Sequence, residues 1–365
     1  MSMRMRSAFA IAPLRRRAAW GRPPLRPQGM TLVDLMVGMA IGLFLMAVMG
    51  AVYQGTRTTF VAQESGARIQ ENGRFAMDTI AADLRMSGFR GCRSTGAPDV
   101  NNTLNLAATL PYNYAQQIWG SRSAAGAWSP ALSAPASTLA PSADGDVLVV
   151  RKPVGLGWSL IGEQVSVADP LSVTPTANFA LGDLLMVADC AGADVLQATN
   201  ATPGLSGSIA HVAGAGGVAP GVSTTNLSRV YAQDARVWRL QTVVYFLAAS
   251  LRQPGQTALW SHTLPVYDGS EATKELVTGV ERLAITYGVD TDGDGGADRL
   301  QSAAAVTDWA QVVSARVEMV VSGSDTSQTA TIAQTYVING ASYTPSARRR
   351  RAVMSTVGSL RNAVP

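Results

Sequence analysis

Three textures of apolar and polar positions follow one another along the chain. From Met30 to Tyr53 run 24 residues with a single charge, Asp34. As a helix this run is roughly 36 Å long, against about 30 Å of bilayer hydrocarbon, so it predicts a membrane span. The next stretch, "QENGRFAMDTIAADLRMSGFRGC" (Gln70 to Cys92), is one-sided. Ile69, Ala76, Ile80 and Leu84 recur at near-helical spacing, and Asp78, Asp83 and Arg85 fall on other faces. Gly88 and Gly91 end the pattern. One helix from about Met30 to Met86 is predicted, with its second half placed to pack on a head.

The third texture is short and β-like. Residues 94–145 are rich in Ser, Ala, Pro and Asn and read as a long loop with little regular structure. After it come "DVLVVRKPV", "LLMVADCAGADVLQAT", "VWRLQTVVYFLAAS", "TALWSHTL", "LVTGVERLAITYGVD" and "VVSARVEMVVS", bounded by Gly, Pro, Asp or Ser. In the last, Val313, Ala315, Val317, Met319 and Val321 form an apolar face opposite Ser314, Arg316 and Glu318. Tyr245 to Trp260, joined by "LRQPGQ", reads as a hairpin, and "AHVAGAGGVAPGVSTT" as a flexible Gly-rich loop. The predicted class is α+β: a long N-terminal helix, membrane-spanning in its first half, packed on a mainly antiparallel β-sheet head.

Charge changes the picture in one respect. The net charge is +4, yet residues 1–29 hold seven arginines and no acid, which leaves 22 basic against 25 acidic residues in the remainder. The body therefore offers no general field for a nucleic-acid backbone, and nucleic acid is not an expected partner. Arginines ahead of the apolar run keep the N-terminus cytoplasmic and predict export of the C-terminal part. The helical pattern continues through "GAVYQGTRTTF", which predicts a retained anchor in membrane lipid. The run Arg348 to Arg351 reads as a solvated edge of the terminal strand.

An ionised acid at mid-bilayer costs about 2.5–3.5 kcal/mol, less near the edge, so Asp34 asks for either headgroup solvation or a cation. The residues around it resemble a known family. "QGMTLVDLMVGMAIGLFL" is similar to the leader and N-terminal helix of type IV pilins. The resemblance implies cleavage by a prepilin peptidase after Gly29, N-methylation of the new N-terminus at Met30, and an assembly charge at Asp34, where the family usually carries Glu. It also implies that the Met30 amine of one subunit pairs with Asp34 of a neighbour, two charges costly in lipid that satisfy each other. "GVERLAITYGVDTDGDGGADR", "WAQVVSARVEMVV" and "RRRRAVMSTVGSLRN" resemble the C-terminal region of PilW-type minor pilins.

That family implies a leader at 1–29, a pilin helix at 30–88 with 30–53 in the membrane, and a periplasmic head at 89–365. It implies a structural role, initiating or priming type IV pilus assembly near the tip. The implied partners are other minor and major pilins, prepilin peptidase and the inner-membrane assembly machinery. The implied location is the inner membrane and then the pilus at the cell surface. A minor pseudopilin of a type II secretion system shares the leader and helix. A membrane-anchored periplasmic adhesin or enzyme, uncut at its N-terminus, is the rival from another class.

Two further features concern the head. Cys92 and Cys190 are the only cysteines, and in an oxidising compartment an even count suggests a disulfide, with two unrelated buried thiols as the alternative. "DTDGDGGAD" places Asp290, Asp292 and Asp294 at alternating positions, with Asp298 further on and Gln301 where a bidentate Glu would complete a calcium loop. Hard oxygen ligands of this kind suit Ca²⁺; an Asp/Gly-rich turn without metal fits the same letters. No cofactor is required. His211 and His262 each stand alone, HExxH, GxSxG and phosphate-loop motifs are missing, and no enzyme activity is expected.

Overall fold

The computed structural model describes residues 29–91, 100–124, 126–175, 177–323, 334–347 and 349–362. The chain divides into two compact units, Met1–Arg57 and Thr58–Pro365. The helix α1, Leu32–Met86, is continuous through the boundary. In the first unit every described residue is exposed, and an 18-residue apolar window of α1 has 0% of its residues buried. An apolar helix with no protein around it is suited to lipid.

The second unit is mainly strands. In chain order they are β1 (Val100–Asn102), β2 (Ile118–Ala124), β3 (Ala127–Ser129), β4 (Val147–Ser159), β5 (Leu171–Ser172), β6 (Leu184–Ala188), β7 (Ala193–Gln197) and β8 (Ser208–Ile209). Then follow β9 (Arg236–Ala249), β10 (Thr257–Leu264), β11 (Thr273–Thr278), β12 (Val280–Val289) and β13 (Arg299–Ser302). The last are β14 (Val312–Ser322), β15 (Tyr336–Ile338), β16 (Ala341–Tyr343) and β17 (Arg351–Ser359). A nine-stranded sheet has the order β1-β7-β6-β9-β4-β2-β3, with β10 on β9 and β11 on β10. A four-stranded sheet has the order β13-β12-β14-β17. Pairing is antiparallel except for β1 on β7. The α+β class read from the sequence is the class observed.

One stripe of α1 organises this unit. Ile69, Ala76, Met77, Ile80 and Leu84 are buried in a core that also holds Leu148 and Val150 of β4, Val243, Tyr245 and Leu247 of β9, Leu283 and Ile285 of β12, and Val317 and Met319 of β14. The helix thus closes one core with both sheets. Truncating a buried residue such as Ile80 to Ala costs about 2–5 kcal/mol by removing its contacts and leaving a cavity. Close approach to β17 requires glycine at Gly358, where a Cβ would fall 2.9 Å from Leu84 Cβ; a Cβ on Gly73 would meet only the flexible end of the Met354 side chain.

The period-2 rule sends alternate residues of the large sheet to different cores. Val147 and Val149 of β4 and Val244 and Phe246 of β9 face away from α1, where Leu110, Ala136, Leu132 and Leu139 cover them. The Ser/Ala/Pro-rich region 94–145 is therefore not a featureless loop. It supplies β2 inside the large sheet, the β2–β3 hairpin and the apolar cover of the outer face. The "LLMVADCAGADVLQAT" segment is a hairpin, β6 and β7, and "LVTGVERLAITYGVD" divides at Gly279 into β11 and β12, whose partners lie in different sheets. The expected hairpin is β9–β10, with Thr257 opposite Ala249.

Two charge assignments change. Asp83 is 8% exposed instead of facing solvent. Its Oδ1 accepts from Lys152 Nζ of β4, and its Oδ2 accepts from Tyr245 Oη of β9 at 2.7 Å. Burial, and Asp83 beside it, push the Tyr245 hydroxyl well above its ordinary range. Lys152 of β4 and Tyr245 of β9 together make the burial of Asp83 tolerable, and neither is near it in sequence. The arginine run is a solvated edge only in part: Arg350 is exposed just before the edge strand β17, and Arg351 is not. The Arg351 side chain is 3% exposed and makes a two-pronged pair with Glu281, Nε at 2.6 Å and Nη2 at 3.0 Å. Arg350 Nη1 donates to Ala62 O of α1 at 2.7 Å. Arg348 lies outside the described residues.

Asp146 joins the two sheets. Its N–H donates to Leu283 O at 2.9 Å, and its Oδ2 accepts from Ile285 N at 2.8 Å. Burial pushes its carboxyl up to about 6, against the pull of the Ile285 N–H and Arg122. The folded state therefore holds a proton that the unfolded chain releases near pH 4. The stabilisation from that proton is complete below about pH 4 and is lost as pH rises through about 6. Urea unfolding of the wild type against Asp146→Asn tests this. The wild-type advantage over the variant is expected to shrink by about 2–3 kcal/mol from pH 4 to 7. A difference independent of pH would contradict it.

Candidate functional site

The first candidate lies where α1 begins. Gly29 and Met30 precede the helix and are exposed. Thr31 is the hinge of the local structure. Its Oγ1 accepts from Asp34 N at 3.2 Å, while Asp34 Oδ2 accepts from Thr31 N at 3.1 Å and Thr31 Oγ1 at 2.7 Å. This is a capping box, in which a Thr and an acid three residues on satisfy each other's backbone donors. The acid also sits at the positive end of the helix dipole. Thr31 is the residue that the sequence reading missed, although T-x-x-D before an apolar run carries the signal. Only one carboxylate oxygen is spent. Asp34 Oδ1 accepts no hydrogen bond among the described residues. The carboxylate can thus cap its own helix and still receive a cation.

The second candidate is the β12–β13 loop. Asp290 Oδ1 accepts from Gly293 N at 2.7 Å and Asp292 N at 3.2 Å, and Asp290 Oδ2 from Gly295 N at 2.8 Å. Asp294 Oδ1 accepts from Gly296 N at 2.7 Å. The Gly293 N–H first, then those of Gly295 and Asp292, hold the Asp290 carboxyl below its ordinary range. Gly293 and Gly295 have φ of 81° and 86°, a region that a side chain resists. Carboxylate oxygens of Asp290, Asp292 and Asp294 lie within 4.8 Å of one another. Asp298 stands outside that group. Its Oδ2 accepts from Thr291 N and Thr291 Oγ1, both at 2.7 Å, and this holds its carboxyl low. Gln301 is opposite Tyr287 in the β12–β13 pair. Three acids converge where the spacing offered four.

Cys190 is exposed in the β6–β7 turn, which Asp189 holds by accepting from Ala191 N at 2.7 Å and Gly192 N at 2.8 Å. Cys92 lies outside the described residues. The last described residue before it, Gly91, stands beside the end of β6: a Cβ built there would meet Ala188 Cβ at 3.5 Å.

The histidines are placed by packing. His211 is 1% exposed, with Nε2 3.0 Å from Asp169 O. His262 Nδ1 is 2.7 Å from Thr273 Oγ1, the residue directly opposite in the β10–β11 pair. Neither arrangement supplies positive support for catalysis. Of the tryptophans, Trp238, Trp260 and Trp309 are buried in cores.

Comparison with known proteins bears on the head. A family model described as "Type IV Pilus-assembly protein W" matches residues 244–362, about a third of the chain. The matched part runs from within β9 to just past β17 and contains the acidic loop and the Arg351–Glu281 pair. No curated protein and no solved structure matches the chain. The match supports a PilW-type family and, with it, a role related to type IV pilus assembly and contact with pilus machinery.

Proposed function

We propose that this chain is a minor pilin of the PilW type. It is cleaved after Gly29, methylated on Met30, and helps to initiate or prime type IV pilus assembly with other minor and major pilins near the tip. The observation that supports this best is Asp34. It is the single charge in the exposed apolar run from Met30 to Tyr53, it has one oxygen engaged by Thr31, and the other has no partner among the described residues. The PilW-type match at the other end of the same chain supports the same reading.

The mechanism is association without bond chemistry. The apolar half of α1 holds the subunit in the inner membrane with its head in the periplasm. When subunits stack, the Met30 amine of one approaches the open oxygen of Asp34 in the next. Each charge removes the other's cost in a medium without water. Asp is one methylene shorter than Glu, which favours the local bond to Thr31 and demands close approach of the partner amine. The pair then fixes register more than it adds stability.

Two features of the head belong to the proposal. A Cys92–Cys190 disulfide would tie the end of α1 to the β6–β7 turn, as the position of Gly91 beside Ala188 supports. The Asp290, Asp292 and Asp294 group would take Ca²⁺, stiffening the β12–β13 loop without taking part in catalysis.

Mass spectrometry of the protein from cells tests the first two points together. The expected result is a chain beginning at N-methylated Met30 and, without reduction, a peptide linking Cys92 to Cys190. A retained arginine-rich prefix would overturn the processing proposal, and two free thiols would overturn the disulfide. Calorimetry of the purified full chain in detergent is expected to show one saturable Ca²⁺ event that is lost in Asp290→Asn. No heat above dilution would overturn the calcium proposal.

A further inference from the structure

A sheet edge exposes backbone donors and acceptors that another strand can take, and proteins blunt their edges with short strands, charges or proline. The large sheet does so. β1 and β3 have three residues each, and β11 carries Lys274 and Glu275. β17 is different. It has nine residues, it ends the order β13-β12-β14-β17, and from Ala352 to Ser359 it holds no charge and no proline. Its pairing with β14 runs unbroken from Arg351 opposite Ser322 to Ser359 opposite Ser314. No strand lies on its far side among the described residues.

The alternation of β17 turns Ala352 and Met354 to the core under α1 and leaves Val353, Ser355 and Val357 exposed on the other face. The half from Ser355 to Ser359 lies toward the end of the helix. There Asn362 Nδ2 donates to Arg85 O and Ser87 O, which draws the chain toward α1 and off the strand's edge. The helix runs in the same direction as β17, with Gly73 beside Met354 and Leu84 beside Gly358.

The opposite end of the same sheet offers a matching strand. Leu300 of β13 is opposite Gly288, Gly288 is opposite Ser314 of β14, and Val357 is opposite Arg316. Residues paired across strands share a face, as do residues two apart along one strand, so Leu300 and Val357 stand on the same face. Each is 59% exposed. Neighbouring strands alternate in direction through all four positions, so β13 and β17 run oppositely. A second copy set beside the first in the same orientation therefore presents β13 to β17 as an antiparallel partner. Its α1 also points the same way, as helices anchored in one membrane must. Two β17 strands paired antiparallel would instead turn their helices in opposite directions.

We propose that the edge of β17 receives β13 of a second copy of this chain, with Leu300 of the incoming strand opposite Val357 and Ser302 opposite Ser355. The two apolar side chains cover each other on the outer face, and the small sheets join side by side. The acidic loop travels with β13 and brings the exposed Asp292 and Asp294 to the exposed Arg361 that follows β17. Opposite charges there favour this partner in this register. The contact is heterologous, so each added copy leaves a new β17 edge free for the next. β13 has only four residues, so the contact is small and suits chains already gathered in one membrane. From the proposed function it takes only that α1 anchors the chain there.

The test is oxidative cross-linking in membranes of cells that make two differently tagged forms of the full chain, one Val357→Cys and the other Leu300→Cys. Opposite residues of antiparallel strands hold their Cα atoms about 4.5–5.5 Å apart, within disulfide reach. The expected result is a dimer carrying both tags, at several times the yield found when either variant is made with the wild-type chain, which controls for Cys92 and Cys190. Both substituted positions are exposed, so the fold is kept. Arg361→Glu in the Val357→Cys chain is expected to lower the yield roughly threefold. A yield no higher than with the wild-type chain, a yield unchanged by Arg361→Glu, or equal linking between two Val357→Cys chains would overturn the proposal. A chain that begins at Met30 and does not cross-link would overturn this contact alone and leave the minor-pilin reading standing.

Discussion

A charge carried into apolar surroundings has to be matched, and the architecture is arranged around such charges. Asp83 sits on the buried stripe of α1, where a lone carboxylate would be ruinous. Lys152 and Tyr245 reach it from two adjacent strands, so the same contact that solves its charge fixes the helix to the large sheet. Glu281 and Arg351 join β12 to the start of β17 in the same way. Asp146 takes another route: it accepts the Ile285 N–H between the two sheets and is pushed up to about 6 by burial, so it is partly relieved by holding a proton. Asp34 is the extreme case in the proposed reading, which surrounds it with lipid, because its own chain supplies only the neutral Thr31.

The apolar side of the account has the same economy. One helix serves two media. Its first half is exposed all round and suited to hydrocarbon, and its second half exposes one face and gives the other to the core. Ile80 and Leu84 lie at the meeting of the two sheets, and the sheets pass their alternate residues to that core and to separate outer cores. Gly358 sets how closely the helix and β17 meet, since a side chain there would collide with Leu84.

Much of this was legible in the sequence, and the exceptions have physical causes. The span, the amphipathic half and the alternating β14 are periodic patterns, which depend only on local geometry. The acidic loop was legible because Asp and Gly at fixed spacing impose a turn, and Asp290, Asp292 and Asp294 do converge. Asp298 was not, because its choice of Thr291 depends on how the loop closes. Region 94–145 looked structureless because small residues and prolines hide short strands, and β2 exists through its pairing with β4. The burial of Asp83 and of the Arg351 side chain was invisible, since partners 69 and 70 residues away decide it. The capping box at Thr31 was legible and was overshadowed by the apolar run that follows it.

The central claim is that the Asp34 carboxylate serves assembly and not folding. It is tested most directly by counting subunits in purified pili from cells carrying Asp34→Glu or Asp34→Asn. The account predicts that both variants reach the membrane in normal amounts. Asp34→Glu, which keeps the charge and lengthens the reach, enters filaments at wild-type levels or above, and Asp34→Asn, which keeps a helix cap but loses the charge, is depleted at least tenfold. Incorporation of Asp34→Asn at the wild-type level would contradict it.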